Sequence, residues 1–313
     1  ARSHPYRHSD TSADPDAGYP PYKNATIKES GIGLACEEAA RIILSENRPF
    51  SMETAACDEE YEPSSEYDSS FALQIFAARE AVFKILAKES LSIHEKLIVI
   101  LDMGSKIQQC INTDEYDNIK SVVNDYLKEG IAHTLDETRN LSDSGQFEDI
   151  SLQQGIRQIL YPYEEMEVLN PEWEVILKDI IDSLFEQMSD EEYNILNEEF
   201  GTYMVSRAYE YRQLLEYLVF RYFAKSIYDY DFLGKCQMLV TNFFVIRQMD
   251  IIRWLDNHRE YSFKDRMDVV HIFSRQVEYS EDNIENLYED FIFDDIFKTD
   301  SLIAILWIDS ENI

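Results

Sequence analysis

The sequence predicts an all-α protein, a multi-helical array of roughly ten helices behind an irregular N-terminal arm. Three observations carry that prediction. Only nine glycines occur in 313 residues, too few for the many tight turns of doubly wound sheets and barrels. Apolar residues recur at spacings of three and four from Phe71 onward, and helix-start signals precede them. No segment competes as a strand, short pieces in the arm aside.

Residues 1–33 are rich in Pro, Ser, Asp, Gly and Tyr and lack periodicity, so they read as an arm. The stretch LACEEAARIIL (Leu34 to Leu44) then starts a helix over 34–46. Gly31 and Gly33 break what precedes, Glu37 and Glu38 place negative charge in the first turn, and Ala39, Ala40, Ile42, Ile43 and Leu44 propagate it. Cys36 therefore sits at the positive end of a helix dipole, a position that suits metal or cluster ligation and that the adjacent glutamates oppose. The alternative is a small buried side chain.

Cys57 to Ser70 reads as an acidic loop in which Asp68 and Ser69 can cap the next helix. That helix runs from Phe71 to Lys88, with Phe71, Ile75, Ala78, Val82, Ile85 and Leu86 on one face. Ser92 and Glu95 form a capping box before the next apolar run, SIHEKLIVILDMGSKIQQCI, and another helix covers Asp114 to Leu135. Residues 140–172 alternate acidic loop with short helical pieces, including the proline-marked YPYEEMEVLNPEW. This linker-like segment separates an N-terminal helical region, 34–139, from an aromatic-rich C-terminal one, 173–313. The latter holds helices near 173–188, 190–199, 203–228, 231–256, 261–279 and, with breaks, 282–308.

Composition narrows the function. With 45% hydrophobic and 13% aromatic residues the chain can bury a core. Its 61 acidic against 28 basic residues leave a formal charge of −33, which repels nucleic acid and anionic membrane surfaces and favours basic or neutral partners. Cys36, Cys57, Cys110 and Cys236 show no CxxC spacing, in keeping with a reducing cytoplasm. No apolar run is long enough for a membrane span, and ARSHPYRHSD has no signal-peptide core. The first residue is Ala, so a trimmed or fragmentary chain is expected.

Chemistry-bearing motifs are sparse. VILDMGSK (Val99 to Lys106) resembles the acidic, glycine-bearing turn with which many methyltransferases hold S-adenosylmethionine, but it has only Gly104 and lies in a helix signal, so it reads as a decoy. His4, His8, His94, His133, His258 and His271 place no pair at i, i+4 on an ordered helix. GxSxG, P-loop and HExxH motifs are absent. The run from Tyr203 to Tyr230 carries seven tyrosines, Phe220 and Phe223; it reads as one long buried helix, or as the wall of an aromatic pocket with hydroxyl handles. Arg207, Arg212, Arg221, Arg247, Arg253 and Arg275 enrich the same half and read as arginines paired to carboxylates. In HIFSRQVEYS, Arg275 and Glu278 stand one helical turn apart and can pair.

These blocks, in this order, resemble the flagellin lysine N-methylase family (FliB-like proteins of motile bacteria). LACEEAARIIL is similar to that family's LSCPEAARLLL box, with Cys36, Glu38, Ala39, Ala40 and Arg41 matching and Glu37 in place of proline. LSIHEKLIVIL, LLEYLVFRYF (Leu214 to Phe223), FFVIRQM (Phe243 to Met249) and VVHIFSRQVEYS follow in family order, with Tyr279 in place of a histidine. ARSHPYRHSD resembles the family's segment before the cysteine box, without its leading cysteine.

The resemblance implies methyl transfer from S-adenosylmethionine to lysine ε-amines of flagellin in the bacterial cytoplasm, and an iron–sulfur cluster held by a cysteine-rich N-terminal segment. That segment is missing here, leaving Cys36 as the one matching ligand position, so no cluster is expected in this chain alone. The chain is expected either to begin downstream of the other ligands or to be a degenerate relative. On this reading Arg275 and Glu278 shape or brace the site. The reading from another class is a non-catalytic helical interaction module, with Cys36 a core thiol and the aromatic half docking a partner helix.

Overall fold

The computed structural model describes residues 33–51, 69–143 and 150–311, and every regular element among them is helical. The order is α1 (Glu37–Leu44), α2 (Ser69–Leu86), α3 (Ile93–Asn112), α4 (Ile119–Asp125), α5 (Ile131–Asp143), α6 (Leu152–Glu164) and α7 (Pro171–Ile180). There follow α8 (Asp190–Met204), α9 (Ala208–Tyr222), α10 (Ser226–Asp229), α11 (Phe232–Asp256), α12 (Phe263–Val277), α13 (Glu281–Phe293) and α14 (Thr299–Glu311). Of the expected arm, all but Gly33 lies outside the described residues, as does most of the acidic loop with Cys57 and Asp68.

Local chemistry sets the helix starts. Ser92 accepts the Glu95 N–H at 3.2 Å while the Glu95 carboxylate accepts the Ser92 N–H at 2.8 Å, the box expected at the head of α3. Ser189 with Glu192 and Ser262 with Asp265 close the same reciprocal pairs on α8 and α12. Asn170 caps α7, whose first residue is Pro171, a position where the missing N–H costs nothing. At the head of α11 the Asp231 carboxylate accepts the Gly234 N–H at 2.8 Å, and a Cβ at Gly234 would lie 2.0 Å from that carboxylate. A side chain at 234 would therefore require the capping carboxylate to shift.

The architecture is organised around α11. It is 25 residues long and buried on nearly every side, packed against α3, α12, α7, α9, α6, α13 and α14. Its closest neighbour is α3, where Gly104 lets the two backbones approach: a Cβ there would sit 2.6 Å from Cys236 Sγ. The VILDMGSK stretch is thus mid-helix, and its glycine serves packing.

Most polar residues of α11 are buried too, and between them they reach several of the surrounding elements. Lys235 meets Asp229 at 2.7 Å and the Tyr288 ring at 3.9 Å. Gln237 donates to the Phe297 carbonyl at 2.8 Å. The Tyr163 hydroxyl of α6 lies 3.0 Å from Thr241 and 2.7 Å from Asn242. Arg247 donates to Asn197 of α8 at 3.0 Å, and Asn197 in turn binds Asp309 of α14. Tyr193 donates to Gln248 at 2.9 Å. Asp250 takes the Tyr211 hydroxyl and the Arg266 guanidinium, both at 2.6 Å, and the Tyr261 hydroxyl. Burial pushes all of these phenols upward in pKa, so they remain donors.

Three expectations need correction. The Tyr203–Tyr230 run is not one helix: it is broken by 3₁₀ turns at Val205–Arg207 and Phe223–Lys225 into the end of α8, α9 and α10. Residues 140–172 include α6, whose Ile156, Ile159, Leu160 and Tyr163 are buried against α11 and α14, so that segment supplies core. The helix expected to end near 135 continues through a π-turn at Tyr126–Gly130 into α5.

Candidate functional site

Two sequence blocks more than two hundred residues apart meet where α1 lies on α9 and α12. Ala40 and Leu44 bury the inner face of α1. Cys36 is its N-cap, half-buried, with its N–H on the Gly33 carbonyl at 2.9 Å and no side-chain cap bond. Glu38 turns to Arg41 on the exposed face through two hydrogen bonds at 2.5 and 2.9 Å.

The anchor of the junction is Glu278, the C-cap of α12 and only 6% exposed. Its Oε2 accepts Tyr217 Oη–H at 2.6 Å and pairs with Arg221, whose Nε lies 2.7 Å away and donates to the Tyr222 hydroxyl at 3.3 Å; that hydroxyl donates in turn to Oε2 at 3.4 Å. Its Oε1 is buried and accepts no hydrogen bond among the described residues. The Tyr217 oxygen in turn receives the Leu34 N–H at 3.4 Å. A backbone donor of the cysteine box and a carboxylate of the SRQVEYS block therefore share one phenol. Burial raises the Tyr217 phenol well above its ordinary pKa, and the Glu278 charge adds to this, so it stays protonated as donor to the carboxylate. The hydroxyl of exposed Tyr279 stands beside Gly33.

α9 also holds the chain after α1. Arg212 is paired with Glu216 at 2.7 Å, and its other nitrogen donates to Asn47 Oδ1 at 2.8 Å and the Arg48 carbonyl at 2.9 Å. Gln213 donates to the Glu46 carbonyl at 2.9 Å. Nearby Lys96 is 6% exposed; burial lowers its pKa and the Arg212 charge adds to the effect.

Arg275 does not join Glu278. It lies exposed, while Glu278 sits past the last helical residue, turned into α9, where Arg221 takes the place Arg275 was expected to fill. Of the other arginines, Arg207, Arg212 and Arg247 meet carboxylates as expected, and Arg253 forms no ion pair among the described residues. Sequence reasoning missed Tyr217 and Tyr222 as individuals, and Arg266, which is fully buried between Asp250 and Glu210. The excess of Tyr over Leu in α9 was the available signal.

A family model described as the FliB lysine N-methylase C-terminal domain matches residues 79–305. The chain belongs to this family. No curated protein and no solved structure matches. The FliB domain match spans Tyr217, Arg221 and Glu278, whereas Cys36 lies before it. Among the described residues of the FliB chain no three His, Cys, Asp or Glu side chains converge to hold a metal. Cys110 and Cys236 are buried in α3 and α11, so among the described residues no second thiol joins Cys36 at the junction, and these residues do not fit an iron–sulfur cluster by themselves.

Proposed function

We propose that this chain works in lysine N-methylation of flagellin, with S-adenosylmethionine as methyl donor, in the bacterial cytoplasm. Family membership supports the reaction class. The observation that carries the reading to residues is the Leu34–Tyr217–Glu278 link, which joins the cysteine box to the SRQVEYS block.

On this reading Glu278 is a positioning residue. It fixes Tyr217 and Arg221, Tyr217 fixes the backbone at Leu34, and the turn from Gly33 to Cys36 is set in place before α1 begins. Cys36 is the candidate ligand for a cluster completed by thiols outside the described residues. The reaction itself requires the acceptor ε-ammonium to lose a proton before its nitrogen takes the methyl carbon. A protein with a charge of −33 favours the approach of such a cation, with a strength that falls as salt rises. No helix among the described residues is long and apolar enough to cross a membrane.

The test is transfer of labelled methyl from S-adenosylmethionine to flagellin, before and after anaerobic reconstitution with iron and sulfide, with labelled lysines located by mass spectrometry. The expected result is mono- or multiply methylated lysine, diminished in Glu278→Gln and Tyr217→Phe proteins that remain folded. Absence of labelled lysine under both conditions would overturn the reading and leave the non-catalytic interaction module.

A further inference from the structure

A second feature lies two turns back along α12 from Glu278, on the order of 10 Å along the helix axis. It is a cleft of about 460 Å³ between α7, α11 and α12. Ile176, Ile252, Ile272 and the exposed Val175 give it apolar walls. Glu172, Asp179, Asp256 and Asp268 stand around these, with Arg253 and His271.

The pairing of these charges is incomplete. Asp268 meets Lys264 at 3.0 Å, but Glu172, Asp179 and Asp256 have no cationic partner among the described residues. Arg253 comes within ion-pair distance of none of them. His271 Nδ1 is buried with no hydrogen-bond partner, so the ring carries a polar requirement that the described chain leaves unmet. Acidic surface is common on this molecule. What distinguishes this place from bare acidic surface is a volume in the range of small-ligand sites and isoleucine walls beside Glu172, Asp179 and Asp256, which form no ion pair among the described residues although Arg253 shares the lining.

We propose that this cleft receives an alkylammonium group, with its methylene stem against Ile176, Ile252 and Ile272 and its charge among Glu172, Asp179 and Asp256. A lysine side chain of a protein substrate has this chemistry, and so does a free polyamine. Assigning the cleft to the acceptor lysine rests on the methylase reading above, whereas its affinity for an alkylammonium does not. A buried stem contributes through the apolar area it loses to water, and the carboxylates select the charged end.

Isoleucine methyl labelling reads the site directly. Titration with n-butylammonium should shift the Ile176, Ile252 and Ile272 methyl signals, the neutral isostere n-butanol should shift them far less, and added salt should weaken the amine. The Asp179→Asn/Asp256→Asn protein, altered only at exposed positions, should keep its thermal transition and bind the amine roughly threefold to tenfold more weakly. A lysine-bearing flagellin peptide and spermidine, run in parallel, separate the two sources: shifts with the peptide assign the cleft to the acceptor, and shifts with spermidine alone remove that assignment. Equal responses to butanol and butylammonium, or unchanged affinity in the double variant, would overturn the proposal. Methyl transfer to flagellin that persists at full KM and kcat in the double variant would overturn the acceptor assignment while sparing the methylase reading. Amine binding without any methyl transfer would do the reverse.

Discussion

The pair of Arg221 and Glu278 gives the sharpest test of the junction. The carboxylate side chain is fully buried and the guanidinium 12% exposed, at 2.7 Å. Replacing Arg221 with methionine keeps much of the stem and removes the cation that Glu278 meets among the described residues, where its Oε1 already lacks a hydrogen-bond partner. Stranding a buried carboxylate in this way costs about 3–5 kcal/mol, a large share of the stability of an ordinary domain. Glu278→Gln keeps the shape and removes the charge; Arg221 is closer to solvent, so the loss should be smaller, about 1–2 kcal/mol. In the Glu278→Gln background, Arg221→Met no longer strands an anion, and its cost should fall by about 2 kcal/mol. Urea unfolding of the four proteins at neutral pH measures this coupling. Costs that add to within about 0.5 kcal/mol would refute the claim that Glu278 depends on Arg221.

The remaining expectations concern other parts of the molecule. Burial alone would raise the pKa of Asp309, but the Arg247 and His94 charges and hydrogen bonds outweigh it and hold the carboxyl at about 2. A depressed folded-state pKa gives stability that is present above about pH 4 and lost as pH falls toward 2, here about 2 kcal/mol. The stability gap between the native protein and Asp309→Asn, followed by urea unfolding across that window, should therefore narrow; a constant gap would contradict it. Gly104→Ala should destabilise by about 1–3 kcal/mol through its clash with Cys236, and Cys236→Ala should recover most of that; thermal melts without recovery would place the cost elsewhere. Tyr217→Phe removes the acceptor for the Leu34 N–H, so alkylation of half-buried Cys36 should speed up severalfold, with no change in rate as the contrary result.

The all-α class was legible because helix signals are local: the Ser92–Glu95 box, the spacing from Phe71 to Leu86 and the scarcity of glycine each lie within a short window. α6 was hidden because Pro162 and the surrounding acidic residues look like loop, although Pro162 falls in the last turn and Ser151 caps the first. At the junction, the sequence singled out Cys36 and Glu278 but supplied the wrong partner, because i, i+3 spacing predicts contact only while the helix continues, and α12 ends at Val277. Arg221 could not be assigned by spacing, since its carboxylate lies 57 residues away and only the fold brings the end of α12 within reach of α9 side chains. The cleft beside His271 was illegible for the same reason: its walls come from three helices, and although His271 and Ile272 open the HIFSRQVEYS block, no spacing in the sequence ties them to Glu172, Asp179 or Asp256.

The buried polar residues of α11 bear on how parts of this molecule can be exchanged. Apolar helix faces tolerate sliding past one another, since one leucine or isoleucine contact substitutes for the next. A one-turn slip of α6 would instead leave the Tyr163 hydroxyl and Asn242 without each other in a dry interior, and a slip of α8 would do the same to Asn197 and Arg247. A helix grafted in from a relative must therefore bring the matching donor or acceptor at the matching height. Hydrophobic compatibility alone would give a chimera that collapses without settling on one alignment.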